Sequence, residues 1–407
     1  MNPPDLRRIA HLALVPLMLL SERFGYYLSR AFLVIWLTDA VGMELGDAYE
    51  TYSAMALLIT FAPLLGGVAA ALVGPYIPLL LGASGMIAAY LGIWAIPSSS
   101  VPLLFLLALA QGLVKPGVWT LAAVQFTRTF GFARTAYFTL LYIAINLGGL
   151  FGPMVAGWVS DAFGMGLIFA VAAAATAVLL PTTAALWAAG HAQEWPEPEL
   201  EPGLRAAGIA IGTALCAAPF WALTTVSGDS SFQAATNASM SSAEIAMLMG
   251  VNPMIILAGG LFAIVAWAIA QVLSLRVPDL VFAGIALLAA SLGAMAVHPA
   301  VVGLVGMTGL GIGNVAMALC EVIAIPVVLS RVSADSHWRA VPLLLAGWMV
   351  AGSLAGWSME LVGAAIPPEI SLPLAGFVTG AGGVLLVLAS IAGRRMLLPV
   401  VDAPEPA

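Results

Sequence analysis

Charged side chains are scarce in this sequence, and their scarcity excludes most classes of soluble protein. Of the 407 residues, only 8% are charged, whereas 62% are hydrophobic. A soluble domain carries about 25% charged residues, so this chain has too few to cover a surface that faces water. Its apolar runs approach the roughly 20 residues that a helix needs to cross a bilayer, and they are too long and too continuous for a membrane β-barrel. We therefore predict an all-α integral membrane protein.

Cysteine and histidine are also rare, which argues against a disulfide framework, a metal site or an enzyme. Both cysteines, Cys216 and Cys320, lie in apolar runs and show no metal-ligand spacing. The sequence shows no nucleophile–base pair and no phosphate-binding loop, and the four histidines fall in loops or at helix ends: His11, His191, His298 and His337. We predict no catalytic residue, metal, cofactor or nucleic-acid partner.

Turn-like breaks divide the apolar runs into twelve predicted helices. The first begins after a basic segment, as in a signal peptide, but the apolar run continues to about residue 38 without a small-residue cleavage site. We therefore predict an uncleaved first spanning helix. The twelve lie near residues 10–38, 50–73, 77–97, 102–127, 133–160, 165–190, 206–226, 246–273, 279–297, 300–330, 340–365 and 370–393.

The basic residues support this count. With twelve helices, most of the thirteen Lys and Arg residues fall between helices on one side of the membrane: Arg7, Arg8, Arg128, Arg134, Arg205, Arg276, Arg331, Arg339, Arg394 and Arg395. The opposite side holds acids instead: Asp39, Glu44, Asp47, Glu50, Asp161, Asp229, Glu244 and Glu369. The positive-inside rule then predicts that both termini are cytoplasmic. We expect the protein to lie in a bacterial inner membrane.

A polar segment, "HAQEWPEPELEPGLR", separates the sixth predicted helix from the seventh. It predicts a cytoplasmic linker over 191–205 between two six-helix halves, 1–190 and 206–395, with a cytoplasmic tail at 396–407. Two such halves with a site between them are the architecture of a major-facilitator-type secondary transporter. The alternative is that the segment is only a solvated loop. We expect a monomer.

The segment "SERFGYYLSR" interrupts the first apolar run with charge. At 100° per residue its five polar side chains share an arc of about 140°, which predicts a stripe facing a water-filled cavity: Glu22, Arg23, Tyr26, Tyr27 and Arg30. Lys115 and Glu321 lie inside two other apolar runs. A charge at mid-membrane costs about 3 kcal/mol, so these residues are either structural ion pairs or parts of a site. Their excess of one positive charge favours a site for an anionic group such as a carboxylate.

Two further polar residues lie inside predicted helices. Asn146 either hydrogen-bonds a neighbouring helix or lines the cavity, and Trp221 either packs or lines it.

Several motifs resemble those of the proton-dependent oligopeptide transporter family, a branch of the major facilitators. "SERFGYYLSRAFLVIWLT" resembles the helix 1 signature E-x-x-E-R-F-x-Y-Y, and "YFTLLYIAINLGGLFGP" resembles the helix 5 motif F-Y-x-x-I-N-x-G-S. Weaker similarities follow in order along most of the chain: "GLVKPGVWTL", "PFWAL", "NP" at 252–253 and "CEVIAIPVVLSRV".

The resemblance implies roles for these residues. Arg23 and Lys115 would hold a peptide carboxylate, and Glu321 would hold the amine or exchange a proton. Glu22 would belong to the proton-coupling set and Arg30 to a periplasmic gate. The remaining residues would contact the peptide or line its site: Tyr26, Tyr27, Asn146 and Trp221.

The chain departs from the family at three places. Leu19 replaces the first glutamate of the helix 1 signature, so we expect weaker proton coupling or a different route. Thr224 and Thr225 stand where the family often has acids after F-W-A, and "AALVGPYIPLL" replaces the charged loop between helices 2 and 3.

The leading hypothesis is a secondary transporter that takes up di- or tripeptides, or similar small molecules, together with protons by alternating access. Its partners would be the peptide, protons and the lipid bilayer. One alternative is a carrier of another small anion or zwitterion, uncoupled or working as an exporter. An alternative of a different class is a membrane sensor or scaffold that moves no solute.

Overall fold

In a computed structural model, the chain is almost entirely helical over the residues that the structure describes, which are 3–125, 132–190, 204–237, 242–275, 277–333, 339–363 and 366–392. The predicted linker, apart from its last two residues, and the predicted tail at 396–407 lie outside this set, as do Arg128, Arg276, Arg394 and Arg395. The described helices are α1 Pro3–Arg30, α2 Leu33–Asp39, α3 Leu45–Val73, α4 Tyr76–Ala95, α5 Ser100–Gln125, α6 Phe132–Phe163, α7 Leu167–Ala177, α8 Leu179–Gly190, α9 Leu204–Ala217, α10 Pro219–Asn237, α11 Ser242–Val272, α12 Asp279–Ala294, α13 Pro299–Val305, α14 Met307–Val332, α15 Ala340–Gly363 and α16 Pro368–Ala392.

Eleven helical segments of the described chain are long and apolar enough to cross a membrane. This finding confirms the prediction of a multi-helix membrane protein. Helix α1 is not among the eleven, and it is the helix that carries the charged stripe with Glu22 and Arg23. A total of twelve spans and cytoplasmic termini stay predictions.

Most predicted helix boundaries fall within a few residues of the observed ones, but several predictions of continuity or length are wrong. The predicted helices at 165–190 and 206–226 are each divided in two, at Val178 and at Ala218. The run at 10–38 is broken at Ala31 and Phe32, where α1 gives way to α2. The run at 300–330 is broken at Gly306, whose φ of 59° lies in the left-handed region that favours glycine. The helix predicted to end at residue 226 instead continues as α10 to Asn237.

Glycines bring α6 into close contact with α1 and so position the central polar residues. A Cβ at Gly148 would lie 2.7 Å from the backbone nitrogen of Phe24, and one at Gly152 would lie 2.9 Å from that of Leu28. Small residues allow membrane helices to approach to this distance. The α1 stripe and the polar residues of α6 are therefore held side by side.

Contacts between distant helices bury two arginines that the sequence analysis had placed between helices. Arg134 lies inside α6 at 1% exposure. Its Nε donates to the Ser330 carbonyl at 3.1 Å, and its Nη2 donates to Ser333 Oγ at 2.7 Å. The prediction that Arg134 lies between helices is wrong, because α6 begins at Phe132 and packs this side chain against the end of α14.

The second arginine, Arg331, belongs to the last turn of α14 and forms an ion pair with Asp279 at the start of α12. Its Nε donates to Asp279 Oδ1 at 2.9 Å. Thr135 of α6 donates its hydroxyl to Oδ2 of the same carboxylate at 2.8 Å. A single buried carboxylate therefore links α6, α12 and α14.

Candidate functional site

A cavity of about 560 Å³ lies between helices from both ends of the chain. Its wall contains five residues of α1, which are Leu19, Glu22, Arg23, Tyr27 and Arg30. Helices α3, α5 and α6 contribute further residues, and α10, α14 and α15 complete the described wall. The charged stripe on α1 therefore faces an internal space, as its periodicity predicts.

The structure brings most of the predicted site residues together around this cavity. Besides the α1 residues, the wall includes the other predicted members Lys115, Asn146, Trp221 and Glu321. Tyr26 is the exception, because it is 8% exposed and does not belong to the described wall. The roles of all these residues in binding, coupling or gating stay predictions.

Glu22 and Arg23 form a two-point ion pair inside the cavity wall. Arg23 Nη2 donates to Glu22 Oε1 at 2.6 Å, and Arg23 Nε donates to Oε2 of the same carboxylate. The two side chains are 2% and 12% exposed. Because both carboxylate oxygens contact the same guanidinium, the charges of Glu22 and Arg23 largely compensate each other.

Three cations surround the ring of Tyr26. The Cζ atoms of Arg23 and Arg30 lie 5.2 Å and 5.7 Å from the ring centroid, and Lys115 Nζ lies 6.0 Å from it. Such contacts attract a cation to an aromatic face, but they do not neutralise it. Tyr26 therefore acts in this structure as a common support for the positive side of the cavity.

Only one of these cations has a carboxylate partner among the described residues. Arg23 pairs with Glu22, whereas Arg30 Nε donates to the neutral hydroxyl of Tyr52. Over the same part of the chain, Lys115 Nζ has no hydrogen bond or ion pair. The α1–α5 side of the cavity therefore carries two cations, Arg30 and Lys115, that form no ion pair with a carboxylate of the described residues.

Glu321 supplies the negative charge on the α14 side. The Tyr142 hydroxyl of α6 donates to Glu321 Oε1, and the side chain of Asn252 also hydrogen-bonds this carboxylate. Glu321 is 9% exposed but belongs to the cavity wall. The contact with Tyr142 joins α6 to α14 directly through the site.

Sequence reasoning did not select Tyr142 or Asn252, although both lie in motifs quoted above. Tyr142 precedes Asn146 by one helical turn, and the Asn146 side chain donates to the Tyr142 carbonyl at 3.0 Å. Asn146 therefore hydrogen-bonds its own helix while it lines the cavity. The helical spacing from Asn146 to Tyr142 was the available signal.

Trp221 both packs and lines the cavity. Its ring lies against Gly352 of α15, where a Cβ would come within 2.7 Å of Trp221 Cδ1. Thr224 and Thr225 lie nearby on α10 and donate their hydroxyls to carbonyls of their own helix. This wall therefore presents aromatic and methyl groups rather than charge.

Comparison with known proteins agrees with the resemblance found in the motifs. Residues 80–188 match the sequence model of the POT family. This segment is therefore similar to the family. Over 155 residues the chain is 30% identical to dipeptide and tripeptide permease A of Chromobacterium violaceum. The aligned region covers 37% of this chain and 31% of the permease. The chain thus spans about a third or less of the length of the curated relatives it matches.

Solved structures of transporters share the fold over nearly the whole chain. The human organic anion transporter MFSD10 (TETRAN) superposes with a TM-score of 0.65 at 17% identity, covering 94% of this chain and 99% of that structure. A POT family transporter in complex with a thioalcohol-conjugated peptide gives 0.64 at 16% identity, covering 94% and 96%. At these identities, the likeness establishes the fold alone.

Proposed function

We propose that this chain is a secondary transporter of di- or tripeptides or of similar small molecules. The observation that carries the proposal is the cavity with cations on the α1–α5 side and a carboxylate, Glu321, on the α14 side. A zwitterionic peptide has charges of both signs at its two ends, so its carboxylate and its amine each have an opposite charge to meet. The peptide permease among the relatives supports the same substrate class.

In the proposed bound state, Lys115 holds the substrate carboxylate and Glu321 holds the amine. Tyr26 supports Lys115 and Arg23 from one side, while Tyr27, Asn146 and Trp221 shape the remaining wall. Charge-assisted hydrogen bonds of this kind are short and about twice as strong as neutral ones. They would therefore provide much of the binding free energy.

Proton coupling follows from the pairing of Glu22 with Arg23. Both contacts of the guanidinium with Glu22 use the atoms that a substrate carboxylate would need. A proton on Glu22 removes its charge and leaves Arg23 free to bind the substrate. Proton binding and substrate binding would then support each other, which is the condition for symport.

Alternating access would move two six-helix halves against each other around the cavity, with α6 and α14 on opposite sides. The hydrogen bond between Tyr142 and Glu321 would break and form again in this cycle. We place the protein in the inner membrane as a monomer with both termini cytoplasmic. Arg30, at the end of α1, would contribute to the periplasmic gate.

Uptake into proteoliposomes tests the proposal. A labelled dialanine should accumulate in vesicles that contain the protein, and an inward proton gradient should increase the accumulation. Empty vesicles and vesicles with the Lys115→Ala variant are the controls. Dialanine binding without any uptake would support the alternative of a membrane sensor. Uptake that does not depend on the proton gradient would support an uncoupled carrier.

A further inference from the structure

The charges of the described cavity wall do not match a simple dipeptide. The wall contains three cations, Arg23, Arg30 and Lys115, and two carboxylates, Glu22 and Glu321. A zwitterionic dipeptide adds one charge of each sign and leaves the excess positive charge uncompensated. A ligand with one additional negative charge would balance the charges of this wall and would therefore complement it better.

The two carboxylates of the wall already have their own contacts. Glu22 uses both oxygens on Arg23, and Glu321 accepts from Tyr142 and Asn252. Neither accepts a hydrogen bond from Lys115 or Arg30 within the described residues. Lys115 and Arg30 are therefore the cations of the described wall that form no ion pair.

Lys115 and Arg30 point toward the same region. Their charged atoms lie 6.0 Å and 5.7 Å from the centroid of one ring, that of Tyr26, and both side chains line the cavity. Arg30 is exposed at the end of α1, whereas Lys115 is partly buried in α5. An anion that entered past Arg30 would find a second cation deeper in the same cavity.

The three described α10 residues of the cavity wall, Trp221, Thr224 and Thr225, carry no charge that could pair with Arg30. Thr224 and Thr225 line the cavity there, and each hydroxyl donates to a carbonyl of its own helix at 2.9 Å and 3.1 Å. Leu19, which is 3% exposed, occupies the α1 position one turn before Arg23 and adds no charge. The wall positions Leu19, Thr224 and Thr225 are thus uncharged.

We propose that Arg30 and Lys115 form an anion subsite that selects peptide-like substrates with two acidic groups and one amine, such as dipeptides that contain Glu or Asp. This inference rests on the proposed transport function and narrows its substrate class. In the occupied site one carboxylate contacts Lys115, the second contacts Arg30, and the amine contacts Glu321. Electrostatic complementarity of this kind determines specificity.

Competition against labelled dialanine tests the proposal with the full-length protein in proteoliposomes. Alanyl-glutamate should inhibit uptake at a concentration about tenfold or more below that needed for alanyl-glutamine, which is the ratio that one charge-assisted hydrogen bond provides. The two competitors have nearly the same shape and differ in charge. Equal inhibition by both, with dialanine still transported, would overturn the anion subsite and leave the transport proposal intact.

Variants of Arg30 separate charge from shape. Arg30→Gln should abolish the preference for alanyl-glutamate, and Arg30→Lys should restore most of it. Arg339→Gln, which removes an exposed arginine outside the cavity wall, is the matched control and should keep the preference. Thr225→Glu adds a carboxylate to the wall and should reduce the preference. A preference that survives in both Arg30→Gln and Thr225→Glu would overturn the proposal.

The result also distinguishes this inference from the proposed function. If neither dialanine nor any of the competitors is transported or bound, the peptide-transport proposal fails, and the anion subsite fails with it. If dialanine is transported without any preference between the two competitors, only the anion subsite fails.

Discussion

Replacing Asp279 with asparagine would remove the carboxylate that joins three helices. Asp279 is 3% exposed, and it accepts from Arg331 Nε at 2.9 Å and from the Thr135 hydroxyl at 2.8 Å. Breaking a buried ion pair from one side costs about 3–5 kcal/mol, because the remaining charge stays buried. The Arg331 side chain is 11% exposed, so we expect the lower end, about 3 kcal/mol.

Two other variants define the scale of this effect. Thr135→Val removes one hydrogen bond to a charged acceptor and should cost about 1.5 kcal/mol. Asp161→Asn neutralises an exposed acid near the end of α6 and should have almost no effect, since exposed charges contribute little. Thermal unfolding of the purified protein in detergent should therefore rank the variants with Asp279→Asn lowest.

A double-mutant cycle identifies the ion pair as the cause. Arg331→Gln alone should also destabilise the protein, but combining it with Asp279→Asn should cost less than the sum of the two single changes. If Asp279→Asn unfolds at the wild-type temperature, or if the two effects add fully, the buried pair does not stabilise the contact between α12 and α14.

Three further predictions concern the cavity. Lys115→Ala should weaken binding of a dipeptide to the level of its C-terminal amide. If the variant binds both ligands as tightly as the wild type does, Lys115 does not hold the carboxylate. Glu321→Gln keeps the shape but removes the charge, so gradient-driven uptake should be lost, and normal uptake would contradict both roles proposed for Glu321. Leu19→Glu adds a carboxylate one helical turn from Arg23 and should increase proton-driven accumulation, measured as uptake against external pH. The alternative is that Glu22 carries the proton alone, in which case strong accumulation by the wild type would be unchanged or lost in the variant.

Much of the fold could be predicted because single helices carry their own signals. Apolar runs mark the spans, and the 100° turn per residue places Glu22, Arg23 and Arg30 on one face without knowledge of any neighbour. The same rule puts Leu19 on that face, and the structure has it in the cavity wall.

The features that sequence reasoning missed depend on pairs of distant helices. Two partners of Arg134, Ser330 and Ser333, lie almost 200 residues away along the chain, and nothing local distinguishes that arginine from one in a loop. Asn252 became recognisable only when α11 met α14 around Glu321. The break between α1 and α2 was hidden for a different reason, because the apolar run continues through it.

The pairing of adjacent residues Glu22 and Arg23 has a consequence for the response to membrane voltage. Because both belong to α1, a translation of that helix carries the two opposite charges together. The pair therefore moves no net charge through the electric field. Moving one uncompensated charge through 100 mV changes the free energy by about 2.3 kcal/mol. The voltage would therefore act on Arg30 and Lys115 and on whatever anion accompanies them, while the intact Glu22–Arg23 pair would stay electrically silent.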